Sequence, residues 1–213
     1  MPHVESAGLR VSSAARLARQ SELGYGTGFV IRPIAAIVAA ILLSRPDMPE
    51  AEAVRYARVL QAEARARDFD PYTGVSIIYH ESGWLARLVS PSGEDYGLGQ
   101  IRARYVGACR DDDDPLGNPS PACRKVKESL LRGEDNIREM AALITQNREF
   151  CRDKVRSARF ARWLASYQGR NYPRQNRWCK PGDKTWAVIK YRRWLISEVP
   201  KRLQAQRRER AGE

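Results

Sequence analysis

Apolar side chains recur at the spacing of one helix face along much of the chain. Between residues 47 and 67 this i, i+3, i+4, i+7 spacing is followed by Ala53, Tyr56, Ala57, Leu60 and Ala64. Asp47 is the predicted N-cap of this helix. Asp70 followed by Pro71 has the N-cap and first-turn chemistry of a second helix, which we expect to end at Gly83.

The second half of the chain is also predicted to be helical. Helices are expected at about 134–150, 157–168 and 184–199, the last of them ending before Pro200. A shorter helix is expected from Leu98, whereas residues 107–122, which contain three prolines, are expected to form an irregular insertion. Because no alternating strand pattern is longer than a few residues, the predicted fold class is mainly α.

Residues 1–46 differ from the rest of the chain. Their apolar run, Ile34 to Leu43, has ten residues, too few to span a bilayer but enough for the hydrophobic region of a signal peptide. Left uncleaved, this run would offer a membrane contact, and the alternative is a buried N-terminal helix. We therefore predict a signal-like or poorly ordered segment at 1–46, a helical domain at 47–203 and a basic tail at 204–213.

The chain carries a formal net charge of +12, which favours a polyanionic partner. No basic-aromatic binding motif is present, so we expect no nucleic acid partner. A bacterial cell wall, with its peptide carboxylates and attached anionic polymers, is the other candidate polyanion. The remaining alternative is that Arg-rich helices simply present solvated faces.

Four cysteines and only two histidines, with no closely spaced cysteine pair, argue against a zinc site. An even number of cysteines is typical of an exported protein with two disulfides. Three pairings are open, and we expect neighbours in sequence to pair, Cys109 with Cys123 and Cys151 with Cys179. Four free or buried thiols are the alternative.

Two blocks of sequence carry the candidate chemistry. His80–Trp84 reads His-Glu-Ser-Gly-Trp, and Ser90–Ile101 reads Ser-Pro-Ser-Gly-Glu-Asp-Tyr-Gly-Leu-Gly-Gln-Ile. Together they resemble the catalytic core of the soluble lytic transglycosylase (SLT-type) family, within the goose-type lysozyme-like superfamily. Two weaker blocks agree, Gly133–Arg138 and Leu164–Gly169, although Gln168 stands where that family usually has Asn. The resemblance covers about residues 47–170.

The resemblance implies a lysozyme-like helical domain with a groove for peptidoglycan glycan strands. It implies cleavage of the β-1,4 bond between N-acetylmuramic acid and N-acetylglucosamine, with Glu81 as general acid and base and a 1,6-anhydro product end. No metal or cofactor is implied. We expect an exported protein, periplasmic or secreted, that acts as a monomer.

The position of Glu81 also has a physical meaning of its own. A general acid must keep its proton near neutral pH, so its pKa must rise. Glu81 falls in the last turn of its predicted helix, where the carbonyl ends disfavour a carboxylate. Apolar neighbours such as Ile77, Ile78 and Trp84 are expected to add desolvation, which raises a carboxyl pKa more strongly.

Six further residues are carried over as substrate-binding candidates, namely Ser82, Ser90, Tyr96, Gln100, Tyr167 and Gln168. Ser82 is expected to hydrogen-bond near Glu81 or the sugar, and Gln100 to contact the acetamido group or hydroxyls. Tyr167 is expected to hold its hydroxyl near Glu81 across the groove. Their alternatives are a serine at a helix end, an exposed helix glutamine and a core aromatic.

Two other functions are compatible with the sequence. A hydrolytic lysozyme needs a second carboxylate to place water, for which Glu94 or Asp95 could serve. A non-catalytic wall- or polyanion-binding protein would use the basic helices instead. His80 is expected to be a surface or packing residue, and Asp111–Asp114 a solvated acidic loop without calcium-site spacing. Core packing is the expectation for most of Trp163, Trp178, Trp186 and Trp194.

Overall fold

The structure is a computed structural model that describes residues 32–212. Within that range the chain is mainly α-helical, as predicted, with one short hairpin. The helices are α1 (Ile34–Ser44), α2 (Glu50–Ala66), α3 (Pro71–Ser82), α4 (Pro121–Leu130), α5 (Gly133–Val155), α6 (Phe160–Tyr167) and α7 (Asp183–Ala211). Strands β1 (Asp95–Tyr96) and β2 (Ile101–Arg102) pair antiparallel between α3 and α4.

Helix α3 lies at the centre, in contact with α1, α2, α5 and α7. Its predicted start is confirmed, because the Asp70 carboxylate accepts a hydrogen bond from the Tyr72 backbone N–H at 3.1 Å. Asp70 is also buried between two cations, with Arg32 at 2.6 Å and Arg192 at 2.7 Å. The predicted stop is confirmed too, since Gly83 adopts a left-handed φ of +58°.

Helix α1 lies on the N-terminal side of the boundary predicted at residue 46. It is formed by the apolar run and packs against α2, α3 and α7, and Ile37, Ala40 and Ile41 are fully buried. The structure therefore favours the alternative of a buried N-terminal helix, because removal of this helix would open the core. Residues 1–31 of the predicted segment lie outside the described residues.

The helix predicted from Leu98 is wrong. No helix begins there, because Gly97 at φ +70° and Gln100 at φ +46° turn the chain back on itself between β1 and β2. The predicted irregular insertion contains no α-helix or strand over residues 107–120, and it ends there because Ser120 caps α4 by accepting a hydrogen bond from the Cys123 N–H at 3.2 Å.

The last helix is longer than predicted. Helix α7 continues through Pro200 to Ala211, so residues 204–211 of the predicted basic tail are helical. Proline removes one helical hydrogen bond, but Leu195 and Val199 are fully buried before it and Leu203 packs on the core after it. Packing on both sides of Pro200 therefore outweighs the local penalty. The helix beyond Leu203 is mostly exposed.

Both expected disulfides are present, Cys109–Cys123 beside α4 and Cys151–Cys179 between α5 and the segment that leads into α7. The pairing of sequence neighbours is confirmed, and two disulfides fit an exported protein. Among the helices of residues 32–212, none combines the length and apolar character required to cross a bilayer.

Candidate active site

Glu81 lies in the last turn of α3, with the buried side chains of Ile77 and Ile78 one turn before it. Burial raises the pKa of its carboxyl group above the ordinary value of 4.5, and the negative charge of Asp95 adds to that rise. A hydrogen bond from Gln168 and the positive charge of Lys184 oppose the rise without cancelling it. The carboxyl group therefore holds its proton to a higher pH than a solvated glutamate does.

Gln168 links Glu81 to the start of α7. Its side-chain oxygen accepts a hydrogen bond from the Thr185 hydroxyl at 2.9 Å, so its amide NH₂ is the group that donates to Glu81. Thr185 is fully buried, and its hydroxyl oxygen also accepts the Gly182 backbone N–H at 3.3 Å. The sequence does not predict a role for Thr185, because its hydroxyl is important only through its contact with Gln168, which lies 17 residues earlier in the chain.

Tyr167 ends α6 and is held by the loop between the two strands. Its hydroxyl donates a hydrogen bond to the backbone carbonyl of Gly99 at 2.8 Å. Burial raises the pKa of this phenol well above 10, and the negative charges of Glu81 and Asp95 raise it further. Tyr167 therefore stays neutral at physiological pH and remains a hydrogen-bond donor. The charge of Glu81 therefore acts on this phenol, while the hydroxyl itself is bonded to Gly99.

Asn136, in the first turn of α5, ties the hairpin to the helices. Its side-chain NH₂ donates to the carbonyls of Tyr96 and Leu130, both at 2.8 Å, and its oxygen accepts the Gly99 N–H at 2.7 Å. The side chain is fully buried. Sequence alone placed Asn136 only inside the weaker Gly133–Arg138 block, and its spacing of 37 residues from Gly99 gave no local sign of the contact.

Two glycines allow this close approach. A Cβ atom at Gly97 would lie 2.2 Å from the Leu130 carbonyl oxygen and 2.4 Å from the Asn136 side-chain nitrogen. A Cβ atom at Gly99 would lie 2.8 Å from the Tyr167 hydroxyl. The Gly-Leu-Gly sequence is therefore required by the distance between the hairpin and α5, and at Gly97 also by a left-handed φ of +70°.

Four of the predicted binding residues make hydrogen bonds to nearby backbone, three of them within the loop. The Gln100 NH₂ donates to the carbonyls of Gly97 at 2.9 Å and Leu88 at 3.3 Å. The Ser90 hydroxyl accepts the Asp95 N–H at 3.0 Å, and the buried Tyr96 donates to the Gly93 carbonyl at 2.9 Å.

Ser82, the fourth, is buried and donates back to the Ile78 carbonyl at 3.3 Å. The hydrogen bond expected between Ser82 and Glu81 is not made, because its hydroxyl completes the last helical turn. The structure thus favours the alternative of a serine at a helix end. The hydroxyls and amide of these four residues shape the backbone beside Glu81.

The two acidic residues of the hairpin have different surroundings. Glu94 pairs with Arg104 at 2.9 Å and with Arg102 at 3.4 Å. Asp95 pairs with Arg102 at 3.0 Å and its charge acts on both Glu81 and Tyr167. Of the two carboxylates proposed for placing water, Asp95 is therefore the one electrically coupled to Glu81.

His80 and the acidic run Asp111–Asp114 have structural surroundings. His80 packs edge-on against Tyr79 and Tyr191, as a surface packing residue. The Asp112 carboxylate accepts backbone N–H groups of Asp114 and Ser120, so the acidic run organises its own turn. Over residues 32–212, no three His, Cys, Asp or Glu side chains are grouped to hold a metal ion.

Of the four tryptophans that follow Trp84, two are covered by other side chains and two are exposed. Trp163 is buried, and Trp178 is partly buried with its ring edge-on to Phe150. Trp186 and Trp194 are 52% and 40% exposed on α7, so core packing does not account for them.

A cavity of about 440 Å³ adjoins the segment that follows Glu81. Trp84 and Leu88 line it together with Arg45 and Glu52 from the α1–α2 region. Neither Glu81 nor any of the six predicted binding residues contributes to its walls. The cavity is therefore separate from the candidate active site.

Comparisons of the chain with protein-family models, with curated proteins and with solved structures give no match.

Proposed function

We propose that the chain is a peptidoglycan lytic transglycosylase with a lysozyme-like helical domain and that Glu81 is its catalytic acid and base. The observation that carries the proposal is the carboxyl group of Glu81, at the end of the central helix, with a pKa raised by burial. General acids in glycan cleavage need such a carboxyl group. The resemblance of the sequence around Glu81 and the hairpin to the transglycosylase motifs supplies the substrate class.

In the proposed reaction, the Glu81 proton moves to the glycosidic oxygen between N-acetylmuramic acid and N-acetylglucosamine, and the bond to the muramoyl anomeric carbon breaks. The ionised Glu81 then takes the proton of the muramoyl C6 hydroxyl, whose oxygen attacks that anomeric carbon. The products are a 1,6-anhydromuramoyl end and a free N-acetylglucosamine hydroxyl. No water is consumed, and Glu81 ends protonated as it began.

The neighbours of Glu81 suit both halves of this cycle. The hydrogen bond from Gln168 and the charge of Lys184 stabilise the carboxylate that exists after the first proton transfer. Thr185 fixes the Gln168 side chain so that its NH₂ group is directed at Glu81. Tyr167 stays protonated, so it adds no second negative charge near Glu81, and its hydroxyl holds the Gly99 carbonyl. Their roles are to position and stabilise, while Glu81 alone moves protons.

The test is cleavage of purified sacculi by Glu81→Gln, followed by chromatography of released muropeptides. The amide has the shape of the carboxyl group but cannot donate and retrieve a proton, so we expect activity to fall by about 10²-fold or more. Glu149→Gln is the matched control, since Glu149 is exposed near the end of α5. Activity in Glu81→Gln within about tenfold of the control would remove Glu81 from the mechanism.

The second candidate function is a hydrolytic lysozyme on the same site, favoured by the electrostatic coupling of Asp95 to Glu81. A hydrolase would use Asp95 to place or activate water on the anomeric carbon. Under the transglycosylase proposal, Asp95→Asn retains 1,6-anhydro products, because Asp95 has no role in activating a nucleophile. Under the hydrolase, the same substitution abolishes release of reducing ends.

The proposal places the enzyme outside the cytoplasm, periplasmic or secreted, where its substrate lies. The two disulfides are the observation that supports this location. Its partner is the peptidoglycan glycan strand, and the proposed active unit is a monomer.

A further inference from the structure

The outward face of α7 carries an unusual combination of side chains. Trp186 and Trp194 are 52% and 40% exposed, and Lys190 lies between them, one helical turn from each. Lys201 and Arg208 continue the same side of the helix, because all five positions fall within a sector of about 80° at 100° per residue. The opposite side, including Val188 and Leu195, is buried as far as Val199, after which the helix is mostly exposed.

The net charge of this helix is strongly positive. Helix α7 has nine basic and three acidic residues, an excess of six that is half of the formal net charge of +12. One of the acids, Glu198, is bound to Lys201 at 2.7 Å on the flank of the face. From Trp186 to Arg208 the outward face is about 33 Å long at 1.5 Å per residue.

The exposed Trp194 ring is held by its neighbours. It packs against Tyr191 at 5.1 Å between ring centroids, and Tyr191 stacks on Tyr79 at 4.1 Å. Tyr79 is itself 38% exposed, so the three rings form a supported aromatic ridge along the seam between α3 and α7. A surface tryptophan fixed in this way loses little conformational freedom when it enters a binding interface.

We propose that the outward face of α7, made of Trp186, Lys190, Trp194, Lys201 and Arg208, docks the protein onto an anionic lipid bilayer surface. Tryptophan is favoured at the level of the lipid headgroups, and basic side chains are attracted to anionic ones. The face is the convex outside of a single helix, without the concavity that encloses a glycan or peptide strand. Lipid headgroups need no such concavity, because an interfacial helix lies flat on them.

The test uses the full chain and vesicles of phosphatidylcholine alone or with phosphatidylglycerol, in a flotation assay. We expect binding only to the anionic vesicles, and weaker binding as salt rises. Replacing Trp186→Ala and Trp194→Ala together should weaken binding by about tenfold or more. The matched control, Tyr105→Ala with Leu116→Ala, removes side chains that are 54% and 52% exposed elsewhere and should leave binding unchanged.

Charge is tested separately with a single substitution. Lys190→Glu should weaken binding by about fivefold or more, whereas Lys125→Glu, at an exposed position on α4, should change it much less. Bromination of the lipid chains provides a readout on the native protein that needs no variant. It should quench the tryptophan fluorescence, because Trp186 and Trp194 enter the headgroup region.

Three results would overturn the proposal. The first is no binding of the native chain to anionic vesicles at low salt. The second is equal vesicle binding by the double tryptophan variant and its control, even if the variant loses binding to sacculi, which would make the face a wall-polymer contact. The third is a self-associated native chain that only the tryptophan variant converts to a monomer, which would make the face an interface between copies.

Discussion

Replacing Asn136 with alanine tests how the hairpin is held beside Glu81. The substitution removes three hydrogen bonds and leaves two carbonyls and one N–H without their partner inside the protein. A buried polar group left unpaired costs about 1–3 kcal/mol. Because water can enter the space left by the amide and recover part of this loss, we expect a total of about 3–5 kcal/mol.

The assay is urea unfolding of the oxidised protein, followed by circular dichroism. In a thermal melt of a chain of this size, the same loss of about 3–5 kcal/mol corresponds to a melting temperature lower by roughly 6–20 °C. The matched control is Asn147→Ala, since Asn147 is partly buried on the same helix and its NH₂ makes one bond, to the Leu143 carbonyl at 2.8 Å. We expect that control to cost about 1 kcal/mol or less.

The two variants should lose clearly different amounts of unfolding free energy. If the losses in Asn136→Ala and Asn147→Ala differ by less than about 1 kcal/mol, the three hydrogen bonds of Asn136 do not stabilise the fold by the expected amount. A decrease in glycan cleavage by Asn136→Ala while the protein is still folded is also expected, because the hairpin carries Asp95 and the Gly99 carbonyl that receives Tyr167.

Gly97→Ala should destabilise the protein more than Gly93→Ala in thermal melts, since φ is +70° and +71° but only Gly97 has an atom within 3 Å of the added Cβ. The left-handed backbone costs about 1–2 kcal/mol at either site, and equal losses would contradict the close approach at Gly97. Burial raises the pKa of Glu81 above 4.5, so the native state holds this proton more tightly than the unfolded chain. The free energy of unfolding of Glu81→Gln minus that of the native protein should therefore increase as pH rises from 4 to 7.5. A difference that does not change with pH would show that the pKa is not raised.

The central helix and its candidate acid could be predicted because their signals are local. Asp70 and Pro71 start α3 and Gly83 ends it, and this fixes Glu81 in the last turn. The hairpin beside it could not be read as a hairpin, since the short Leu98 segment has a helix-like composition. Its turn depends on hydrogen bonds with Asn136, which is distant in sequence. Gly97 and Gly99 allow the backbone to approach Asn136 closely enough to form them.

Burial and exposure were the least predictable features. The run from Ile34 to Leu43 is apolar enough to suggest a signal segment, and only contacts with α2, α3 and α7 place it in the core. Conversely, Trp186 and Trp194 are large apolar residues of the kind expected in a core, yet they lie on the outward side of α7. Local periodicity could not decide these cases, because burial depends on which neighbouring helix covers each face.

The reaction class is tested most directly by digesting sacculi in oxygen-18 water and analysing the new glycan ends by mass spectrometry. A transglycosylase that uses Glu81 and the C6 hydroxyl produces 1,6-anhydro ends without label, one water lighter than hydrolytic ends, and Glu81→Gln produces none. Uniform oxygen-18 label at the new anomeric positions would contradict the transglycosylase and make Asp95 the residue that directs water.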